Sequence, residues 1–496
     1  MKSDFRLTAL LSILIYALLL ISCKGEDDSQ SGIVGRVTAA EGGGGGAIVK
    51  LIKAPNPEDD SSIWSVNDDE PQLGFPYALE FTFDHRPLTT EQVDTANGSG
   101  EFRFEQVVAG DYVIIAEKPG HGWSVPKKLS TSGGDVDVGE LRLPLEVVIE
   151  EQFVITENTT WESGVHYVVK DNFLVVDDGV TLTIEPGAIV RIVGAGSIEV
   201  DGTLIARGEP DNFVRFMANE YVGRRADRWI YVKFNDGATP PDLEYCAFRD
   251  GSTALDLETN GGTVDHCYFN GITAEGVNAR FQPPTVTNCV FEGVGTGVFN
   301  SSTTGLEVQR SIFQGCDPFA IVLKSMTDVD IYCNWFRDCG GTDTSGSGDR
   351  GVIKLDIVNT SQFRNNVFET SWYAFQIGSF VDSTTRIHHN NFARMNSVMN
   401  IGVTEDERGP SFPNLIYNCF SSVDFFVVFF NCNQHNTEDM NATRNSWGTS
   451  SLFEIYDRYV HDRDDDGTCP TVNVSPIMTS CSAIQTETGV PAGICP

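Results

Sequence analysis

The chain is short of positive charge. Its 34 lysines and arginines face 69 aspartates and glutamates, leaving a net charge of −35 over 496 residues. A field of that sign repels nucleic acid and anionic lipid head groups, which removes both as electrostatic partners. It repels acidic polysaccharides as well unless a cation bridges them, and it favours a soluble, non-aggregating exterior. There is no C-x-x-C pair, so the 12 cysteines do not spell a zinc site. From about residue 150 onward no helical period runs through the apolar positions. The stretch "FLVVDDGVTLTIEPGAIVRIVGAGSIEVDGTLIARG" instead packs four β-rich bursts between Gly-containing bends.

What the sequence does contain is one phrase written nine times. "DLEYCAF", "TVDHCYF" and "TVTNCVF" place Cys246, Cys267 and Cys289 two residues before Phe248, Phe269 and Phe291. The phrase then softens, with Ser311, Asn334, Asn366, Asn390, Asn418 and Asn445 preceding Phe313, Phe336, Phe368, Phe392, Phe420 and Trp447. Successive copies lie 21, 22, 22, 23, 32, 24, 28 and 27 residues apart. A period of that length is the signature of a solenoid, in which equivalent residues stack about 4.8 Å apart. The aromatic column then becomes a continuous buried stack.

A second column stands three residues before each Cys/Ser/Asn: Leu243, Val264, Val286, Val308, Ile331, Phe363, Ile387, Leu415 and Ala442. All are apolar. Side chains alternate along a strand, so this spacing puts both columns inside only if the chain bends sharply between them. The Cys/Ser/Asn column sits at or next to that bend, where Asn tolerates left-handed geometry and can bond up the stack. Excess spacing marks loops at 339–351, 403–413 and 431–441, where specificity usually resides.

The N-terminus carries Lys2 and Arg6, an apolar run "LTALLSILIYALLLIS", and then Cys23. The run has the length of a signal segment and is short for a membrane span. "LISC" resembles the bacterial lipobox, whose Cys is lipidated and becomes the mature N-terminus. The resemblance implies a signal peptide over 1–22, lipidation of Cys23, and a tether over 23–31. Lys24 after the Cys implies the outer membrane rather than retention in the inner one.

Residues 32–148 read as a small β-domain. Gly35-Arg-Val37, Ala47 to Leu51, Thr95 to Phe104 and Gly110-Asp-Tyr112 resemble the carboxypeptidase-regulatory-like, prealbumin-type β-sandwich. An acid- and Pro-rich insertion from about Asn56 to Asp94 interrupts it. Val176 to Gly187 and Val200 to Gly208 resemble the opening coils of bacterial right-handed parallel β-helix proteins of the pectate-lyase-like superfold. The fold class expected is therefore all-β, a sandwich followed by a β-helix over 149–450, with a C-terminal cap and Cys-containing tail over 451–496.

A polysaccharide lyase or hydrolase on such a fold needs carboxylates clustered on an outer strand face. The outward column Asp256, Asn278, Phe299, Val322, Lys354 and Gln376 is mixed, with no vertical pair of acids. The wording of alginate epimerases and polygalacturonases is absent. The loop group Asp349, Arg350, Lys354 and Asp356 is the remaining candidate catalytic set. His388 and His389 are adjacent on a strand and are expected to point apart, so they should not chelate one metal.

Asp462, Asp464, Asp466 and Gly467 fit a D-x-D-x-D-G calcium loop, although Asn473 stands where an EF-hand has Glu, and acid-rich linkers mimic the pattern. Any Ca2+ there would be structural. Cys246, Cys267 and Cys289 read as a thiol ladder, with one oxidised pair within reach. Cys316 and Cys339, each three residues after a rung Phe in successive coils, are the expected disulfide. Cys469, Cys481 and Cys495 are expected to staple the tail.

Together these point to an outer-membrane lipoprotein whose β-helix binds a glycan or a surface protein without catalysis. The alternative is a polysaccharide lyase or glycoside hydrolase acting outside the cell. Three or more ionisable side chains converging on the helix flank would favour the enzyme; scattered singles would favour binding.

Overall fold

The computed structural model describes residues 31–56, 62–150, 153–170, 173–222, 225–226, 228–301, 304–341, 350–402, 412–431, 439–462, 465, 469–490, 492–493 and 495. The lipobox and Cys23 lie outside them. The chain divides into two units: residues up to Pro55 with Leu88–Pro144, and Asn56–Pro87 with Leu145–Pro496.

The first unit holds two sheets. Ser31–Ala39 lies between Glu101–Val107 and Val136–Leu143 in one. Ile48–Lys53 and Gly110–Glu117 form the centre of the other, flanked by Thr90–Thr95 and Lys127–Thr131. Alternation does the work: Phe102, Phe104, Val49, Leu51, Tyr112 and Ile114 turn into one core.

The second unit is a parallel solenoid of three long sheets. Sheet A has 11 strands, from Thr159–Trp161 to Asn414–Ile416. Sheet B has 12, from Glu146–Ile149 to Cys419–Phe420. Sheet C has 13, from Phe153–Ile155 to Val460–His461. The chain visits A, B and C once per coil. The repeated phrase spans the corner from A to B, and all nine members of the apolar column, eight on sheet A and then Ala442, are at most 1% exposed. On B the rings from Phe216 through Phe420 stack at centroid separations of 4.5–5.4 Å.

The bend is a single residue. Tyr245, His266, Asn288, Arg310, Cys333, Asn365, His389, Tyr417 and Arg444 each take a left-handed φ between 47° and 58°. Each immediately precedes the Cys/Ser/Asn column, which is therefore beside the bend and not in it. A non-glycine residue there costs about 1 kcal/mol or more. The next column offsets that cost. Asn334, Asn366, Asn390, Asn418 and Asn445 form a ladder, each Nδ2 donating to the next Oδ1 at 3.0–3.2 Å.

The expected single sandwich across 32–148 is corrected in one respect. Residues 62–87 leave it and lie on the outer face of sheet B. That face is apolar at Ala247, Tyr268, Val290 and Ile312, and Ile63, Trp64, Val66, Leu73 and Phe75 cover it. Gly74 makes the approach possible at φ +57°, where a Cβ would stand 2.8 Å from Val290 Cγ2. Arg86 closes the clasp with ion pairs to Asp84 at 2.7 Å and Asp250 at 2.6 Å. Burial pushes the Asp84 carboxyl up, but the Arg86 guanidinium outweighs it and holds it down to about 2.

The solenoid also continues past residue 450, because Val460–His461 pairs with Val428–Asn431 as one more rung of sheet C. A further correction concerns Cys316 and Cys339, which remain thiols buried in the core, as do Cys246, Cys267 and Cys289. Cys339 points inward and donates to Phe313 O at 3.5 Å. Among the described residues, disulfides join Cys333 at the A–B bend to Cys495, and Cys419 at the start of the last strand of sheet B to Cys481. Cys469 is disulfide-bonded as well.

Candidate functional site

Of the three outer faces, sheet C is the one framed by long connections. The A-to-B corner is one residue deep, and the clasp occupies sheet B. The chain's excess length falls in the connections at 338–352, 402–413 and 431–439, which enter or leave sheet C.

The strand register of sheet C places one outward column in the order Glu199, Lys233, Asp256, Asn278, Phe299, Val322, Lys354, Gln376, Asn400, Phe429 and His461. The six residues read from the sequence fall on it. Beside it runs a second column two residues on, including Glu258, Arg280, Lys324 and Asp356.

The two columns meet in a cluster that a single column hides. Lys233 Nζ is 3.1 Å from Glu258 Oε2. Arg280 reaches Asp256 Oδ1 and Glu258 Oε1, each at 3.6 Å. Asn278 Nδ2 donates to Asp256 Oδ1 at 3.2 Å, and Tyr231 donates to Glu199 at 3.2 Å. Burial pushes the Asp256 carboxyl up, with Arg280 and Lys233 opposing. The Arg280 contacts are longer than direct hydrogen bonds, and its side chain is 53% exposed, so the guanidinium stays open to a ligand. The signal was in "LDLE": Asp256 and Glu258, two apart, share a face.

Sheet A offers a contrast. Tyr332 OH bonds Glu307 at 2.6 Å and Gln309 at 2.7 Å, while Arg364 grips Asp330 through Nε at 3.1 Å and Nη2 at 2.7 Å. Burial, then Glu307, pushes the Tyr332 phenol up to about 12. That network satisfies itself and reads as structural.

The loop set Asp349, Arg350, Lys354 and Asp356 is described only in part. Asp349 lies outside the described residues. Arg350 Nη1 is 3.8 Å from Asp317 Oδ1, whereas Lys354 pairs with Asp356 at 3.7 Å on the sheet C face. Asp462 is buried and accepts from Val472 N at 3.0 Å. Asp464 and Asp466 lie outside the described residues, among which no group of three His, Cys, Asp or Glu could hold a metal.

The histidine expectation is corrected: His388 Nδ1 and His389 Nδ1 are 2.8 Å apart. The left-handed φ of 56° at His389 folds its ring back toward its neighbour instead of alternating away. His388 Nε2 also bonds Gln362 Oε1 at 2.9 Å, and His389 Nε2 bonds Thr488 at 3.2 Å.

Residues 229–392 match the family described as "Right handed beta helix region". The solenoid is a right-handed parallel β-helix. No curated protein matches the chain. Among solved structures, the chain is similar to a Family 28 exopolygalacturonase of Yersinia enterocolitica. The identity is 11% and the TM-score 0.24, over 81% of this chain and 91% of that one. At that identity and TM-score the similarity assigns no activity here.

Proposed function

We propose that the chain is a lipoprotein of the bacterial outer membrane, held through Cys23, whose β-helix binds an extracellular polysaccharide along the outer face of sheet C. What supports binding, although Lys233, Asp256, Glu258 and Arg280 converge, is that both acids are already paired with the two cations, beside Tyr231 and Asn278. These are paired donors and acceptors on one outer face, with Asp256 and Asn278 buried beneath an exposed Arg280, the chemistry that sugar hydroxyls take.

A second reading, cleavage of that polysaccharide, has its own support. The convergence meets the condition set for an enzyme, and Asp256 is an acid whose carboxyl is pushed up next to a second carboxylate. A carboxyl pushed up beside a second carboxylate is the pairing that glycoside hydrolysis uses. The reading needs no step through the Ca2+ expected at 462–466.

The mature chain incubated with a polysaccharide panel tests both, scored for retention and for new reducing ends. Retention lost in Lys233→Ala with Arg280→Ala supports the binding face. Reducing ends lost in Asp256→Asn, with retention intact, support cleavage. A chain that neither binds nor cuts any of the panel removes both readings.

A further inference from the structure

Sheet C ends in aromatics. Seven rungs beyond Asp256, about 34 Å at the spacing of paired strands, its outward column passes from Gln376 and Asn400 to Phe429 and His461. The Phe429 ring lies 5.0 Å from His461 and 5.2 Å from Phe426. Phe425, 56% exposed, and Phe453, 79% exposed, stand on the connections entering these last two rungs. Large rings left that open on a chain this acidic are a contact surface, since scattered single exposures would suffice for a passive one.

We infer that this end of sheet C is a stacking platform for the apolar faces of neutral sugar rings, a second subsite on the polysaccharide track proposed above, on which it rests. The amides decide for sugar over an apolar protein partner. Asn400 Nδ2 donates to Gln376 Oε1 at 3.0 Å, which orients the amides of the two rungs before Phe429. A pyranose presents an apolar C–H face and a polar rim at once, and it needs rings and amides side by side. A hydrophobic peptide or an acyl chain would cover the remaining donors and acceptors of those amides without a partner, at a cost. The acid cluster and the platform then hold one long polymer at two points, so retention rises with chain length beyond the span between them.

Affinity electrophoresis of the mature chain in gels containing hydroxyethylcellulose, xylan or alginate tests this. The wild type should be retarded by a neutral polymer, and Phe425→Ala with Phe429→Ala should weaken that by about tenfold or more, the scale of a lost aromatic anchor. Phe429→Tyr should restore it, and short oligomers of the same sugar should not distinguish the variants. If the double variant is retarded like wild type while Lys233→Ala with Arg280→Ala is not, the platform is wrong and the binding face stands. If wild type is retarded by no polymer, both fall. If it sediments instead with phosphatidylcholine vesicles, and the double variant does not, the platform docks lipid and the inference is overturned.

Discussion

Asn366 and Asn390 stand one coil apart in the closed interior, and the Oδ1 of Asn390 accepts two bonds from Asn366. One comes from the side-chain Nδ2 and one from the backbone N, each at 3.0 Å. Asn390 Nδ2 in turn reaches Phe363 O at 2.8 Å and His388 O at 3.1 Å. One amide thereby satisfies two coils at a corner where the left-handed turn opens the backbone.

Asn390→Ala should strip acceptors from Asn366 and donors from two carbonyls at once. The expected loss is about 3 kcal/mol, the cost of buried polar groups left unmade. A solenoid need not unfold in one step. Hydrogen exchange of the strands at 362–369 and 386–393 is therefore the measurement, and unchanged protection there would contradict the ladder's role.

The clasp has its own lock. Arg86→Ala leaves the carboxylates of Asp84 and Asp250 in a mostly buried site without their cation, which should cost about 3 kcal/mol or more. Because the folded Asp84 carboxyl lies near 2, below its ordinary 3.8, its stabilisation is present above pH 3.8 and is lost as pH falls through 2. Limited proteolysis at residues 62–87 should show wild type protected at pH 5 and Arg86→Ala cut.

The histidine pair responds in a higher window. Burial, then His389, Arg364 and Arg386, holds His388 down to about 4 from 6.5. A depressed imidazole favours the neutral folded form, so this contribution is complete above pH 6.5 and is lost as pH falls through 4. Thr488, on the helix Cys481–Thr488, bonds His389 at 3.2 Å, so protonation should loosen the tail first. Protection factors over 481–490, corrected for the intrinsic pH dependence of exchange, should fall as pH drops from 6.5 to 4 in wild type, and His388→Gln should flatten that fall.

Differential alkylation separates the cysteines into two sets. Cys246, Cys267, Cys289, Cys316 and Cys339 should react only after denaturation, without a reductant. Cys333, Cys419, Cys469, Cys481 and Cys495 should require reduction. Opening either of the bridges that close 162 and 62 residues should cost about 4–5 kcal/mol in the chain-entropy account. Recovery of a Cys316–Cys339 peptide would overturn this assignment.

Much of the fold was legible because a rung is a local statement repeated. Phe269 predicts its place from its own strand, and its ring meets Phe291 at 4.6 Å and 4°. The outward column from Asp256 to Gln376 was legible for the same reason. The Lys233–Glu258 contact was not, because it joins neighbouring columns on different coils. Nor was the meeting of His388 with His389, since strand alternation stops applying where φ turns positive.

Resemblance to known families implied the sandwich and the right-handed β-helix, while the repeat by itself determined a stacked solenoid, an inner stack of Phe with an Asn column beside the bend, and one outward column. Periodicity carries that information, because every coil repeats the same choice between core and solvent. Only the tertiary structure decided that residues 62–87 cover sheet B, that Cys333 and Cys419 pair with the tail, and that two acids and two cations meet on sheet C. Those outcomes depend on which distant segment reaches a given face first with matching shape and charge, and no local pattern encodes it.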